Sequence, residues 1–172
     1  MKKVLLAVAG LAFAASMSLA QDVVSFLHGT VKKVDKATKT VVVKTKDGTE
    51  HTVKVASDDT VKGTKDGFDG LKEGSEVVVR STGKGADETV NGIGKVGKDG
   101  MKVTKGTVEK VDEGTKTVVV KSADGTEKTF EYTGTSLSDT GKAVGKGTEK
   151  GAKVTVYYTE EAGKKIAHFF EM

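Results

Sequence analysis

The 172-residue chain contains no Cys, no Pro and no Trp, only 5% aromatic residues and a single Arg, Arg80. Without Cys there is no disulfide staple, thiolate zinc site, iron–sulfur cluster, Cys nucleophile or lipoprotein anchor. With one Arg, the planar fork that grips phosphate bidentately is nearly missing, so the Lys-rich surface reads as solubilising and not as a nucleic-acid grip. The hydrophobic share, 36%, is low. It is gathered in Val clusters, which suit a packed β core and not a large helical one. A chain of this length makes one ordinary domain or two very small ones.

Residues 1–20 have the layout of a secretory signal peptide. Lys2 and Lys3 precede an apolar run of small residues that ends Ser18-Leu19-Ala20, and no stop-transfer pattern follows. Cleavage after Ala20 and a periplasmic or secreted protein are expected, with no membrane span in the mature chain. Removing Lys2 and Lys3 leaves 26 basic against 24 acidic residues, a net charge of +2.

The mature chain is a duplication. Residues 29–50, GTVKKVDKATKTVVVKTKDGTE, match residues 106–127, GTVEKVDEGTKTVVVKSADGTE, at 17 of 22 positions with an offset of 77. The same offset aligns GLKEGSEVVV (70–79) with GTEKGAKVTV (147–156), and near the end the match drifts by one residue, setting Val90 and Ile93 against Ile166 and Phe169. A repeat of this length predicts two tandem small domains, 22–97 and 98–172, and not a solenoid.

Within each unit the hydrophobic period is two. In the first copy it predicts strands around 31–34, 40–44, 52–55, 76–80 and 89–96, with Asp47-Gly48 and Asp124-Gly125 as hairpin turns. Comparing the copies chooses the inward face. Val77 and Val79 match Val154 and Val156, and Val53 and Val55 match Phe130 and Tyr132, whereas Thr52 and Lys54 face water. The expected core is Val43, Val53, Val77 and Val79 in one unit and Val120, Phe130, Val154 and Val156 in the other. Short helices are expected at 64–71 and 139–144, despite their glycines. The fold class is all-β: a tandem pair of five-stranded OB-like or SH3-like barrels, with a small open sandwich as the further alternative. A unit of seventy residues buries only about 60% of its unfolded surface, so each is expected to lean on its twin.

The pattern GTVxxVDxxxKTVVVKxxDGTE followed by GLKEGxxVVV resembles exported bacterial small-β-barrel repeats classed as domains of unknown function, and the resemblance implies export and a barrel. More distantly, the VxxVD…LKEGxxVxV layout is similar to the periplasmic copper and silver carriers with an OB fold. That family binds Cu(I) through a His, two Met and a Trp. The mature chain has only Met101 and Met172 and no Trp, so the likeness does not bring the metal activity with it.

Candidate chemistry is sparse. His28, His51 and His168 stand at positions not shared between the copies, and they read as surface or edge histidines before they read as a metal site. Asp35 with Asp112, and Asp47 with Asp124, are repeated at turns, where Asp bonds its own backbone; no calcium loop is present. The stretch 141–147 lacks the GxxxxGK[ST] order, no GxSxG occurs, and no cofactor is expected. Strands two and three of the first copy carry no aromatic rings to stack bases, which argues against nucleic acid as a partner. The expectation is a non-catalytic exported binding or structural module for an envelope or extracellular protein, a glycan or a small ligand, with a periplasmic metal-handling role as the alternative. Alternation from inward Val156 sends Tyr157 outward, and matching Phe169 to inward Ile93 turns Phe170 outward, where they either pack against the other barrel or an irregular strand end or form an exposed hydrophobic patch for a partner.

Overall fold

The computed structural model describes residues 24–83, 88–138 and 150–172. They are almost entirely β-structure in two sheets. The first unit contains β1 (Val24–Asp35), β2 (Thr40–Thr45), β3 (Glu50–Lys54), β4 (Val61–Lys62), β5 (Glu76–Thr82) and β6 (Thr89–Lys95). The second contains β7 (Lys102–Asp112), β8 (Thr117–Lys121), β9 (Glu127–Ser138), β10 (Lys153–Glu161) and β11 (Lys164–Glu171). The second sheet closes on itself in the order β10-β11-β9-β8-β7, with β7 returning to β10 and β9 lying parallel to β11. The first sheet runs β3-β2-β1-β5-β6-β4, with β4 parallel to β6.

The two units share one plan, and a single interruption separates them. Val61 pairs with Ile93 and Ser138 with Phe170, and both members of each pair are related by the offset of 77. In the second unit one strand, β9, reaches continuously from β8 to β11. In the first, Asp58-Asp59-Thr60 forms a turn of 3-10 helix that cuts the same path into β3 and β4. Aspartates favour turns over ladders, and the corresponding residues of the second unit are Thr135, Ser136 and Leu137.

The helix expected at 64–71 is a 3-10 turn, Gly67–Gly70, in a segment where Gly63 and Gly67 have φ of +70° and +53°. Glycines in left-handed geometry cannot continue an α-helix. The helix expected at 139–144 and the signal peptide at 1–20 lie outside the described residues. Among the described residues no helix is long and apolar enough to cross a membrane.

The hairpin turns repeat faithfully. Thr38 N–H donates to Asp35 Oδ1 at 3.0 Å and Thr115 N–H to Asp112 Oδ1 at 2.9 Å, with Lys39 and Lys116 both in the left-handed region. Asp47 and Asp124 likewise accept from Thr49 and Thr126. Only the glycine of each Asp-Gly pair has positive φ, +92° at Gly48 and +84° at Gly125. The connection is therefore a three-residue loop ending in a left-handed glycine, and not a two-residue turn with both residues left-handed.

The predicted core holds. Val43, Val53, Val77 and Val79 join Val31, Val41, Leu71 and Ile93 in the first unit, and Val120, Phe130, Val154 and Val156 join Val118, Tyr158 and Phe170 in the second. A third cluster lies between the units. Val78 and Phe26 from the outer face of β5 and β1 meet Tyr157 and Phe169 from the outer face of β10 and β11, with Met101 fully buried among them. Residues 96–101 connect the two units, held by Met101 N–H to Lys95 O at 2.7 Å and Gly97 N–H to Met101 O at 3.0 Å. The close approach needs Gly94, because a Cβ there would lie 2.1 Å from Met101 Cε and 2.8 Å from Phe169 Cε2.

Candidate functional site

Where the two units meet, their first hairpins face one another across a cleft. It consists of two hollows of about 900 and 640 Å³ that share His28, Lys46, Lys105 and Tyr157 in their walls. Equivalent positions line the two hollows, Gly29, Thr30 and Lys44 the smaller and Gly106, Thr107 and Lys121 the larger, while His28 and its counterpart Lys105 line both. At Gly29 and Gly106 the first strand passes so close to the second that a Cβ would lie 2.5 Å from Lys44 O and 2.3 Å from Lys121 O. Two glycines thus let each hairpin fold tightly and carry its lysines to the rim.

The walls are basic. Lys32, Lys44 and Lys46 come from the first unit and Lys105, Lys121 and Lys153 from the second, against Glu76, Glu109 and Glu171. All six lysines are exposed. None is in an ion pair among the described residues, whereas lysines elsewhere pair with acids, such as Lys36 with Asp69 and Lys164 with Glu131. Of the three glutamates, Glu171 is already engaged. Tyr157 Oη donates to its Oε2 at 2.8 Å, and His28 Nε2 lies 3.1 Å from its Oε1. Burial, followed by the hydrogen bond to Glu171, pushes the Tyr157 hydroxyl far above its ordinary value, so it stays a donor.

Tyr157 and Phe170 do not form an exposed patch. Tyr157 is 5% exposed and packs edge-on to Phe169 between the units, while Phe170 is fully buried inside the second barrel. Tyr157 does leave its own barrel, as alternation requires, but the first unit covers it. Phe170 points inward because β11 carries a bulge. Tyr157 pairs with Phe169 and Tyr158 with Ala167, leaving His168 unpaired in the ladder. The same bulge stands at Asn91 in the first unit, where Arg80 pairs with Gly92 and Ser81 with Val90. The offset therefore remains 77 to the end: Ile93 corresponds to Phe170, Val90 to Ala167, and the one-residue drift read from the sequence is not real. A bulge reverses the side-chain phase beyond it, and strict alternation cannot detect it.

The three histidines are not gathered. His28 lies in the cleft, His51 is exposed on β3, and His168 sits in the β11 bulge with Nε2 2.8 Å from Thr159 Oγ1. Burial first, then the charge of Lys62, lowers the His168 pKa to about 4, so its ring is neutral at ordinary pH. Among the described residues no three His, Asp or Glu side chains are placed to share a metal ion. Asp35, Asp47, Asp112 and Asp124 are spent on their turns. Their carboxyls are held below the usual range, chiefly by Thr backbone N–H groups at Asp35, Asp112 and Asp124 and by the Thr45 hydroxyl at Asp47.

Sequence reasoning overlooked the cleft lysines because they read as a solubilising surface. The available signal was their repetition beside Gly29 and Gly106, at Lys44 and Lys121. No protein-family model matches the chain, and no curated protein matches it.

Proposed function

We propose that the protein is an exported, non-catalytic binding module in which two OB-type barrels form one ligand site between them. The observation that carries this reading is the open cleft between the two first hairpins, lined from both sides and floored by the apolar contact between the units. Concave surfaces at unit interfaces are the usual place for ligands. An OB-type plan is supported by the closed five-strand order of the second unit and by the 3-10 turns at 58–60 and 67–70, between β3 and β5 of the first. A binding role fits the chemistry of the described wall residues, which offer lysines and hydroxyls, while the one hydroxyl beside an imidazole and a carboxylate, Tyr157 with His28 and Glu171, is held protonated by burial and not activated. Export rests on the layout of residues 1–20.

The test is native mass spectrometry on the protein purified from its own compartment. The expected result is a mature chain starting at Gln21 that carries a non-covalent ligand, released when Lys105 and Lys121 are replaced by Glu. A chain retaining Met1, or one carrying a stoichiometric transition metal in place of such a ligand, would overturn the reading.

A further inference from the structure

We infer that the cleft between the barrels binds an acidic polysaccharide, an extended chain of sugar units bearing carboxylates. The inference rests on the reading of the protein as an exported binding module and names what that module binds.

Charge is the first argument. Among the described residues the cleft gathers six exposed lysines against three glutamates, one of which is engaged by His28 and Tyr157. This is a local excess of three positive charges, in a mature chain whose whole net charge is +2 from 26 basic and 24 acidic residues. Concentrating like charge along a concave wall costs stability unless an anion lies there. Three lysines come from each unit, so positive charge follows both rims and suits a ligand with repeated, spaced charges. Two joined hollows of about 900 and 640 Å³ are far larger than a single small anion requires.

The kind of polyanion follows from what accompanies the lysines. Among the described residues every basic side chain in the walls apart from His28 is Lys. A Lys ammonium meets dispersed anionic groups as a point charge, and the Arg fork that grips phosphate bidentately is not among the described wall residues. Thr30, Thr107 and Ser122 stand between the lysines and offer hydroxyls to sugar hydroxyls. Val103 is the one large hydrophobic residue exposed among the described residues, at 40%, and it lines the smaller hollow beside Val96. It gives the apolar face of a sugar ring a surface to rest on.

Single-stranded nucleic acid needs aromatic platforms, and among the described residues the only rings in the walls are His28 and the nearly buried Tyr157. An acidic peptide would bind most readily by adding a strand to a free edge. Yet β1 is already paired on both sides, with β2 and β5, and β7 with β8 and β10.

The experiment uses the mature protein and a fluorescently labelled oligogalacturonate, read by anisotropy, with neutral dextran, poly-glutamate and oligo-dT as competitors. Saturable binding is expected that weakens as salt rises and that only unlabelled oligogalacturonate displaces efficiently. Lys105→Glu with Lys121→Glu is expected to weaken it by at least about tenfold. Lys54→Glu with Lys65→Glu, the same charge change outside the cleft, is expected to leave it within about twofold. All four lysines lie on the surface, and an unchanged thermal melt confirms that the variants fold. No binding, equal loss in both double variants, or stronger competition by poly-glutamate or oligo-dT would overturn the inference. A different ligand on the native protein, released by the cleft variants, would overturn the polysaccharide while leaving the binding module standing.

Discussion

Asn91 and His168 occupy the same bulge in the two units, and the exchange gives the second unit a response to acid that the first lacks. Burial holds His168 near a pKa of about 4, against about 6.5 for a free imidazole. Between these values the unfolded chain takes up a proton that the folded chain refuses. Stability is therefore full above the ordinary imidazole value and falls as pH is lowered through the window toward about 4. Asp35, Asp47, Asp112 and Asp124 act lower on the scale. Their depressed values contribute stability that is present above the usual carboxylate range and lost as pH falls through their folded values. His168→Asn, which copies the first unit, is expected to flatten stability across the window from about 6.5 to 4 and to leave the steeper loss below it. Denaturant melts across that range check this, and an unchanged slope within the window would mean that the ring is solvated.

On the scale of strands, alternation marks which face is buried. Val79 is 2% exposed inside the first unit and Lys54 faces water on β3. Val79→Asp is expected to cost roughly 3 kcal/mol or more, because it buries an unpaired carboxylate. Lys54→Asp is expected to stay within about 0.5 kcal/mol. Equal losses in chemical denaturation would mean that the faces are reversed. Most strands of both units, their inward valines and their Asp turns were legible in the sequence, since a half-buried strand writes its geometry as a period of two and the duplication repeats the message. The bulges were not, because an unpaired residue leaves no periodic trace, so Phe169 and Phe170 were read with their faces exchanged. Nor was the cleft, which depends on how Phe26, Val78, Met101, Tyr157 and Phe169 dock the units. Alternation between inward Val77 and Val79 places Val78 outside its own core but does not say what receives it.

At the scale of the whole molecule, the buried cluster between the units and the hydrogen-bonded connection at 96–101 make two small barrels into one body. The wild type is expected to melt in a single calorimetric transition. Phe169→Ala removes a fully buried ring that meets both Phe26 and Tyr157. It is expected to cost about 3 kcal/mol and to split the transition in two, whereas one sharp transition in the variant would show that the coupling lies elsewhere. The duplication also bears on how the chain finds this arrangement. The first hairpins present the same inward residues, Val31, Val34, Val41 and Val43 in one and Val108, Val111, Val118 and Val120 in the other. The inward match ends near the start of the first strand, where Leu27 packs on the first core and the second unit has the buried Thr104. Over the shared valines side-chain fit hardly tells a hairpin from its twin, so the tether does most of the sorting, and in a concentrated solution of unfolded chains a neighbour's hairpin competes, which makes strand exchange between molecules the characteristic error of this architecture.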